Sequence, residues 1–274
     1  MISSCIFTSQ LKSQLISLVG AGGKTSTAFY LANEFKKQGH KVLITTTTKM
    51  YLPNNEYIDH IISADTDINN NALKQQDELT QFTQLFSTNI NITPASITFA
   101  YQACIAGSQP TKVQGLSPQM LNRIKQSQLF SIIIVEADGA HCLPLKCPAD
   151  NEPCLPSQTD TVIGICSTEL FQLVINPNKI HRWPRFAEVT RCTDGELLTI
   201  SILQRLVTDS QGLFKSAPAH ATRIWLLNKT DICPDIALLK QQVSQLSLAK
   251  LGLTEIWLSQ LLDQPPRCHI TVNK

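Results

Sequence analysis

The sequence predicts a three-layer α/β fold, a mainly parallel sheet flanked by helices, and three observations predict it. An apolar run at residues 15–19 passes through a cluster of glycines into a segment with helical spacing, and a second apolar run follows at residues 41–44. Parallel strands joined by a helix are the repeating unit of such sheets, and their crossover is right-handed. Later runs of the same kind, Phe130-Ser-Ile-Ile-Ile-Val135 and Arg223-Ile-Trp-Leu-Leu227, show no polar alternation, as expected of strands covered on both faces. Finally, the polar clusters sit at the C-terminal ends of these runs, the edge where open α/β sheets bind ligands.

The elements follow in order. The first helix spans about 24–38, with Ala28, Leu31, Ala32 and Phe35 on one face and Gly39 as its stop. The second strand runs into Thr45-Thr46-Thr47-Thr48-Lys49-Met50. Threonine favours extended backbone, so these hydroxyls either end a strand in solvent or, with Lys49, contact phosphate, metal or substrate. Across 63–92, Leu73, Leu79, Phe82, Leu85 and Phe86 fit one face of a surface helix. Residues 96–101 read as a strand. Ser117-Pro118 reads as an N-cap with proline at the first helical position, opening a helix to about 127. After the run ending at Val135 comes Glu136-Ala137-Asp138-Gly139, then a proline-rich stretch at 143–156 that excludes regular helix and central strand. Residues 161–166 read as a strand, 194–196 precede a helix to about 207, 223–227 form a strand, and Pro234 starts a last helical region through 248. The expectation is one domain over 1–274, with an inserted or lid-like segment at about 140–220.

Composition narrows the function. The chain has 274 residues, 43% hydrophobic and 16% charged, enough apolar material for one sizeable core. Net charge is only +2 and no basic stripe appears, which argues against nucleic acid. No apolar run reaches bilayer length, and the first residues lack a charged start and cleavage site, so the reading is no membrane partner and a cytoplasmic location. Nine cysteines, an odd number without any Cys-x-x-Cys, read as reduced thiols; the spacing of Cys142, Cys147 and Cys154 fits no standard zinc pattern.

Three motifs carry chemistry. Gly20-Ala21-Gly22-Gly23-Lys24-Thr25-Ser26 between strand and helix reads as a phosphate loop. Glycines let backbone amides approach phosphate oxygens, the helix start adds unpaired donors, Lys24 reaches terminal phosphates and Thr25 ligates Mg²⁺. Only two residues separate Gly20 from Gly23-Lys24, a shortened loop similar to that of the Mur-ligase type. Glu136 and Asp138, after a buried strand, are the candidate Mg²⁺ ligands and catalytic acids beside it, since a cation bridging phosphates needs a hard oxygen across the crevice. If the strand persisted, both would point the same way. Asn228-Lys229-x-Asp231 matches a tetrad that reads guanine, where the carboxylate pairs with donors that adenine lacks. It can also arise as a polar turn after any strand. His181-Arg182-Trp183-Pro184-Arg185 concentrates charge beside an aromatic ring and reads either as a substrate contact or as a solvated loop.

This order of motifs resembles the metallochaperone GTPases, P-loop NTPase-like proteins. More closely, Val-Gly-Ala-Gly-Gly-Lys-Thr-Ser, Thr-Thr-Thr-Thr-Lys-Met-Tyr-Leu-Pro, Val-Glu-Ala-Asp-Gly-Ala, Pro-Leu-Lys-x-Pro-Ala-Asp-x-Glu-Pro and Leu-Leu-Asn-Lys-x-Asp resemble the selenium-dependent hydroxylase accessory family of the YqeC type, from about residue 15 to 231. The resemblance implies a nucleoside-triphosphate-binding protein, GTP or ATP, with Mg²⁺, serving a molybdenum hydroxylase or its cofactor machinery. It assigns phosphates and Mg²⁺ to Gly20, Gly23, Lys24 and Thr25, and the base to Asn228, Lys229 and Asp231. Glu136 and Asp138 match its acidic strand end, and Lys146, Asp150 and Glu152 its proline-rich loop.

The expected activity is Mg²⁺-dependent NTP hydrolysis by Lys24 with Glu136 or Asp138, and the substrate or switch residues are Thr47, Thr48, Lys49, Lys146, His181 and Arg182. Two alternatives stay open: a Mur-ligase-like ATP-dependent ligase or small-molecule kinase, and a non-catalytic protein that senses nucleotide while docked on a partner.

Overall fold

The computed structural model describes residues 13–64, 80, 86, 92–261 and 267–271. Its centre is strand β1 (Gln14–Gly20), buried along its whole length. Helix α1 (Lys24–Lys37) returns the chain to β2 (Lys41–Thr46), which lies not beside β1 but one place further out. The gap is filled by β8 (Ile132–Glu136), parallel to both. On the other side of β1 lie β10 (Thr161–Ser167), β12 (Thr222–Asn228) and β13 (Glu255–Gln260), all parallel, then β14 (Arg267–Thr271), antiparallel. Beyond β2 come β5 (Ser96–Tyr101) and β4 (His60–Ser63). The nine-stranded order is β14-β13-β12-β10-β1-β8-β2-β5-β4.

The side-chain period of two sorts β1 between layers. Ile16 and Leu18 share one apolar cluster with Ala28, Leu31, Ala32 and Phe35 of α1. Leu15 shares a cluster with Met120, Leu121 and Ile124 of α2 (Pro118–Ser127), and Val19 one with Leu203 and Leu206 of α4 (Ile200–Thr208), both on the opposite face. That is the predicted three-layer sandwich. Each of the leucine, isoleucine, valine, methionine and phenylalanine side chains among these contributes about 1.5–3 kcal/mol by leaving water. Ser117 caps α2, its hydroxyl accepting from the Met120 amide at 3.1 Å, with Pro118 in the first turn. No helix among the described residues is long and apolar enough to cross a membrane.

Several elements depart from expectation. The threonine run splits: Thr45 and Thr46 finish β2, Thr47 and Thr48 turn, and Lys49 opens β3 (Lys49–Tyr51). That strand joins β7 (Lys112–Gln114) and β6 (Ala103–Ile105) in a small antiparallel sheet at the binding edge. Strand β8 stops at Glu136, so Glu136 and Asp138 do not alternate along one strand. Of the segment 181–185, expected as a substrate contact or solvated loop, residues 183–185 open α3 (Trp183–Thr190), because Phe186 and Val189 further along are buried and Pro184 is tolerated in a first turn. The last helical region is two helices, α5 (Ile236–Ser244) and α6 (Leu248–Leu251), with β13 and β14 beyond them. Residues 140–220 include β10, hydrogen-bonded to β1, together with β9 (Leu145–Lys146), β11 (Ile180–His181), α3 and α4. Most of the helix expected over 63–92, including Leu73, Leu79, Phe82 and Leu85, lies outside the described residues; Phe86 is described, is 1% exposed and meets Phe130 edge-on at 5.3 Å.

Candidate functional site

The loop between β1 and α1 is shaped by two glycines. Gly22 and Gly23 have φ of 82° and 134°, and a Cβ on Gly23 would stand 2.0 Å from Asn228 Nδ2. Only glycine fits there. The amides divide into two groups. Gly20 N–H donates to Asp138 Oδ2 at 3.0 Å, and Ala21 N–H to Ile165 O at 2.9 Å. The first helical bond, Thr27 N–H to Gly23 O, comes later. The amides of residues 22–26 therefore have no partner among the described residues, and Gly23, as N-cap, offers no side chain. Unpaired amides at a helix start carry partial positive charge and attract anions.

Lys24 is buried at the centre of this loop. Its ammonium donates to Gly20 O at 2.6 Å, stands 3.1 Å from Asp138 Oδ1 and lies 4.0 Å from Glu136 Oε1. Burial alone would lower its pKa, but Asp138 and Glu136 outweigh burial and hold it above the usual lysine value. Glu136 is at the cleft mouth, where its Oε2 accepts from Thr25 Oγ1 at 2.9 Å. Burial raises the Glu136 pKa against the opposing pull of Lys24 and Thr25. A hydroxyl and a carboxylate in contact beside open amides form a hard-oxygen donor set that fits Mg²⁺ together with polyphosphate.

Asp138 lies behind the mouth, 1% exposed. Besides Gly20 N–H and Lys24 it meets Lys146 Nζ at 3.0 Å. Lys146, with its ammonium sealed from solvent, also donates to Gly139 O and to Glu152 Oε2, each at 2.7 Å. Glu152 in turn pairs with Arg182 at 3.0 Å, and Arg182 Nη1 lies 2.6 Å from His181 Nε2. His181 stacks on His141 with centroids 4.6 Å apart. Burial first, then the positive charge of Arg182, lowers the His181 pKa to about 4. Lys146 and Arg182 thus sit in a chain of ion pairs, with His181 hydrogen-bonded to its end, and none of the three is on the cleft lining.

The sequence-predicted turn at 228 is brought beside the loop only in part. Asn228 Nδ2 donates to Gly22 O at 2.9 Å while its Oδ1 accepts from Ser259 Oγ at 2.8 Å, so it ties the loop to β13. Lys229 lines the cleft, its ammonium paired with Glu169. Asp231 is exposed and off the cleft lining. Thr47 donates to Cys154 O at 2.8 Å and Thr46 to Glu136 O at 2.8 Å, so the threonines fasten the acidic strand end and the proline-rich loop. Thr48 and Lys49 line the cleft.

The cleft encloses about 700 Å³. The small sheet contributes Lys49, Met50, Tyr51 and Lys112 to its lining, which also includes His141 and Cys142. Sequence reasoning singled out neither Lys112 nor His141; Lys112 sits in Pro-Thr-Lys-Val-Gln, which carries no motif, and only pairing of β7 with β3 brings it in. Cys104, Cys142, Cys147, Cys154, Cys166, Cys192 and Cys233 are free thiols; Cys147 is buried, which pushes its pKa up to about 11, and Cys142 is exposed. Among the described residues no group of three or more His, Cys, Asp or Glu is placed to hold a metal.

Comparison with known proteins adds two findings. The family model described as "YqeC protein" matches residues 16–184. An Escherichia coli (strain K12) protein named "Uncharacterized protein YqeC" is 31% identical over 264 residues, covering 96% of this chain and 94% of its own length.

Proposed function

The chain belongs to the YqeC protein family, and we propose that it binds a magnesium nucleoside triphosphate in the cleft and uses that ligand as a switch. One observation carries the reading: the amides of residues 22–26, without partners among the described residues, surround a buried lysine at the N-terminus of a helix of 14 residues. Lys24 exchanges Gly20 O for a phosphate oxygen. Thr25 and Glu136 hold Mg²⁺, which supplies charge neutralisation at the phosphates when bound. Asp138 keeps Lys24 charged and fixes the Gly20 amide. Glu136 is also the acid at hand to orient water, which makes hydrolysis the activity to assay. Asn228 sets the loop, and the base end of the ligand lies toward Lys229. A molybdenum hydroxylase or its cofactor machinery as client rests on family resemblance alone.

Calorimetry with Mg·GTP and Mg·ATP tests the reading. Binding that Lys24→Ala abolishes supports it; no binding of either, or equal binding by Lys24→Ala, overturns it. A phosphate-release assay then separates a hydrolase from a nucleotide sensor. A second reading, an ATP-dependent ligase or small-molecule kinase, is favoured by the exposed position of Asp231 and the pairing of Lys229 with Glu169. Under the guanine reading Asp231→Asn weakens GTP alone; under the second it changes neither nucleotide.

A further inference from the structure

The strand order gives the cleft a direction. Lys229 follows β12, two places to one side of the phosphate loop at the end of β1. Glu136 ends β8, next to β1 on the other side, and β2 beyond it leads into β3. A ligand with its base toward Lys229 and its phosphates on the loop points its terminal phosphate past Glu136 at the small sheet. That wall carries Lys49, Tyr51 and Lys112. Lys49 and Tyr51 lie two apart in β3 and share its exposed face, Met50 between them being buried. Lys112 is the direct cross-strand partner of Tyr51, its ammonium 4.9 Å from the ring centroid.

The two cleft walls differ in charge balance. On the loop side Lys24 is paired with Asp138, and Lys229 with Glu169. Neither Lys49 nor Lys112 has a carboxylate within ion-pair distance among the described residues. Glu136 and Glu152 also line the cleft, but neither is paired with these lysines, and two ammonium groups without an ion-pair partner on one wall raise the potential there and favour an anion between them. We infer that the wall formed by Lys49, Tyr51 and Lys112 binds a second ligand, a small molecule bearing phosphate or carboxylate groups, beside the terminal phosphate of the nucleotide. Its position beyond that phosphate rests on the nucleotide reading above; the two lysines facing the cleft do not.

The test uses the full chain and two probes, inorganic phosphate and citrate, titrated against NMR signals of the Tyr51 ring and the Lys49 and Lys112 side chains. In protein saturated with a non-hydrolysable Mg·NTP analogue the loop is filled, so a probe reports the second wall. The expected result is saturable shifts with at least one probe, weakened tenfold or more in Lys49→Gln/Lys112→Gln, while that variant binds the nucleotide within twofold of the parent. Whichever probe binds more tightly identifies the phosphate or the carboxylate source. No saturable shift with either probe overturns the inference, as does a variant that loses nucleotide along with the anion, since the lysines would then grip the nucleotide itself. If the parent binds no nucleotide, the nucleotide reading fails separately. The titration of ligand-free protein then decides: shifts lost in Lys49→Gln/Lys112→Gln uphold the second wall, and their absence sinks it.

Discussion

The rear and the mouth of the cleft are built from the same kinds of side chain and hold them under different constraints. At the rear, Asp138, Lys146, Glu152 and Arg182 alternate in sign, each within about 3 Å of the next. Lys146 donates to Gly139 O and Glu152 Oε2 and is ion-paired with Asp138. At the mouth, Glu136 shares only Thr25 and a distant Lys24, and burial leaves its carboxylate harder to ionise than usual. A closed set of pairs fixes structure; a charge held short of full pairing is available to a ligand. Two carboxylates two residues apart thus take different parts, because one turns toward cations and an amide while the other stays at the strand end.

The comparison breaks most visibly at the rear. Lys146→Ala leaves Asp138 and Glu152 buried without their shared cation, a loss of about 3–5 kcal/mol; chemical denaturation of the parent and variant measures it, and a loss under 1 kcal/mol would mean the rear is not the fixed half. At the mouth the large effect is on ligand. Lys24→Ala lowers Mg·NTP affinity by roughly 100-fold or more, the scale of a charge-assisted contact to phosphate, read by calorimetry.

Glu136→Gln sharpens the contrast, since stability and binding should move in opposite directions. The fold raises the Glu136 pKa, so its contribution is favourable below the ordinary value of 4.5 and is lost as pH rises through the folded value. At neutral pH, above the ordinary value, this carboxyl is therefore a cost to the fold, and the glutamine variant should raise Tm of the ligand-free protein by roughly 2–4 °C. The same change should weaken the Mg²⁺ dependence of nucleotide binding. The smallest effect comes from His181. Its folded pKa of about 4 lies below the ordinary 6.5, so the unfolded chain takes up the proton first as pH falls. Stability drops through the window from 6.5 to 4, and His181→Gln should flatten the Tm–pH curve there.

Much of this arrangement is legible along the chain. The strand, glycines and Lys24-Thr25 predict the loop because each depends on neighbours in sequence, and Ser117-Pro118 predicts a helix start for the same reason. Glu136 is found as the acid after an apolar run. The rest needs distant partners. Leu-Lys at 145–146 shows no sign that its lysine is sealed between Asp138 and Glu152, and nothing in Glu-Ile-Trp-Leu-Ser-Gln at 255–260 marks a strand until β12 is there to pair with it.

By itself, the sequence determined the α/β class and the glycine loop between β1 and α1, since apolar period, glycine conformation and helix capping are local properties. Tertiary structure alone decided which charges face the cleft and which face one another. Strand order set β8 between β1 and β2 and the small sheet across from the loop. Coulombic energy depends on distance and burial, and neither exists until strands far apart in sequence are side by side.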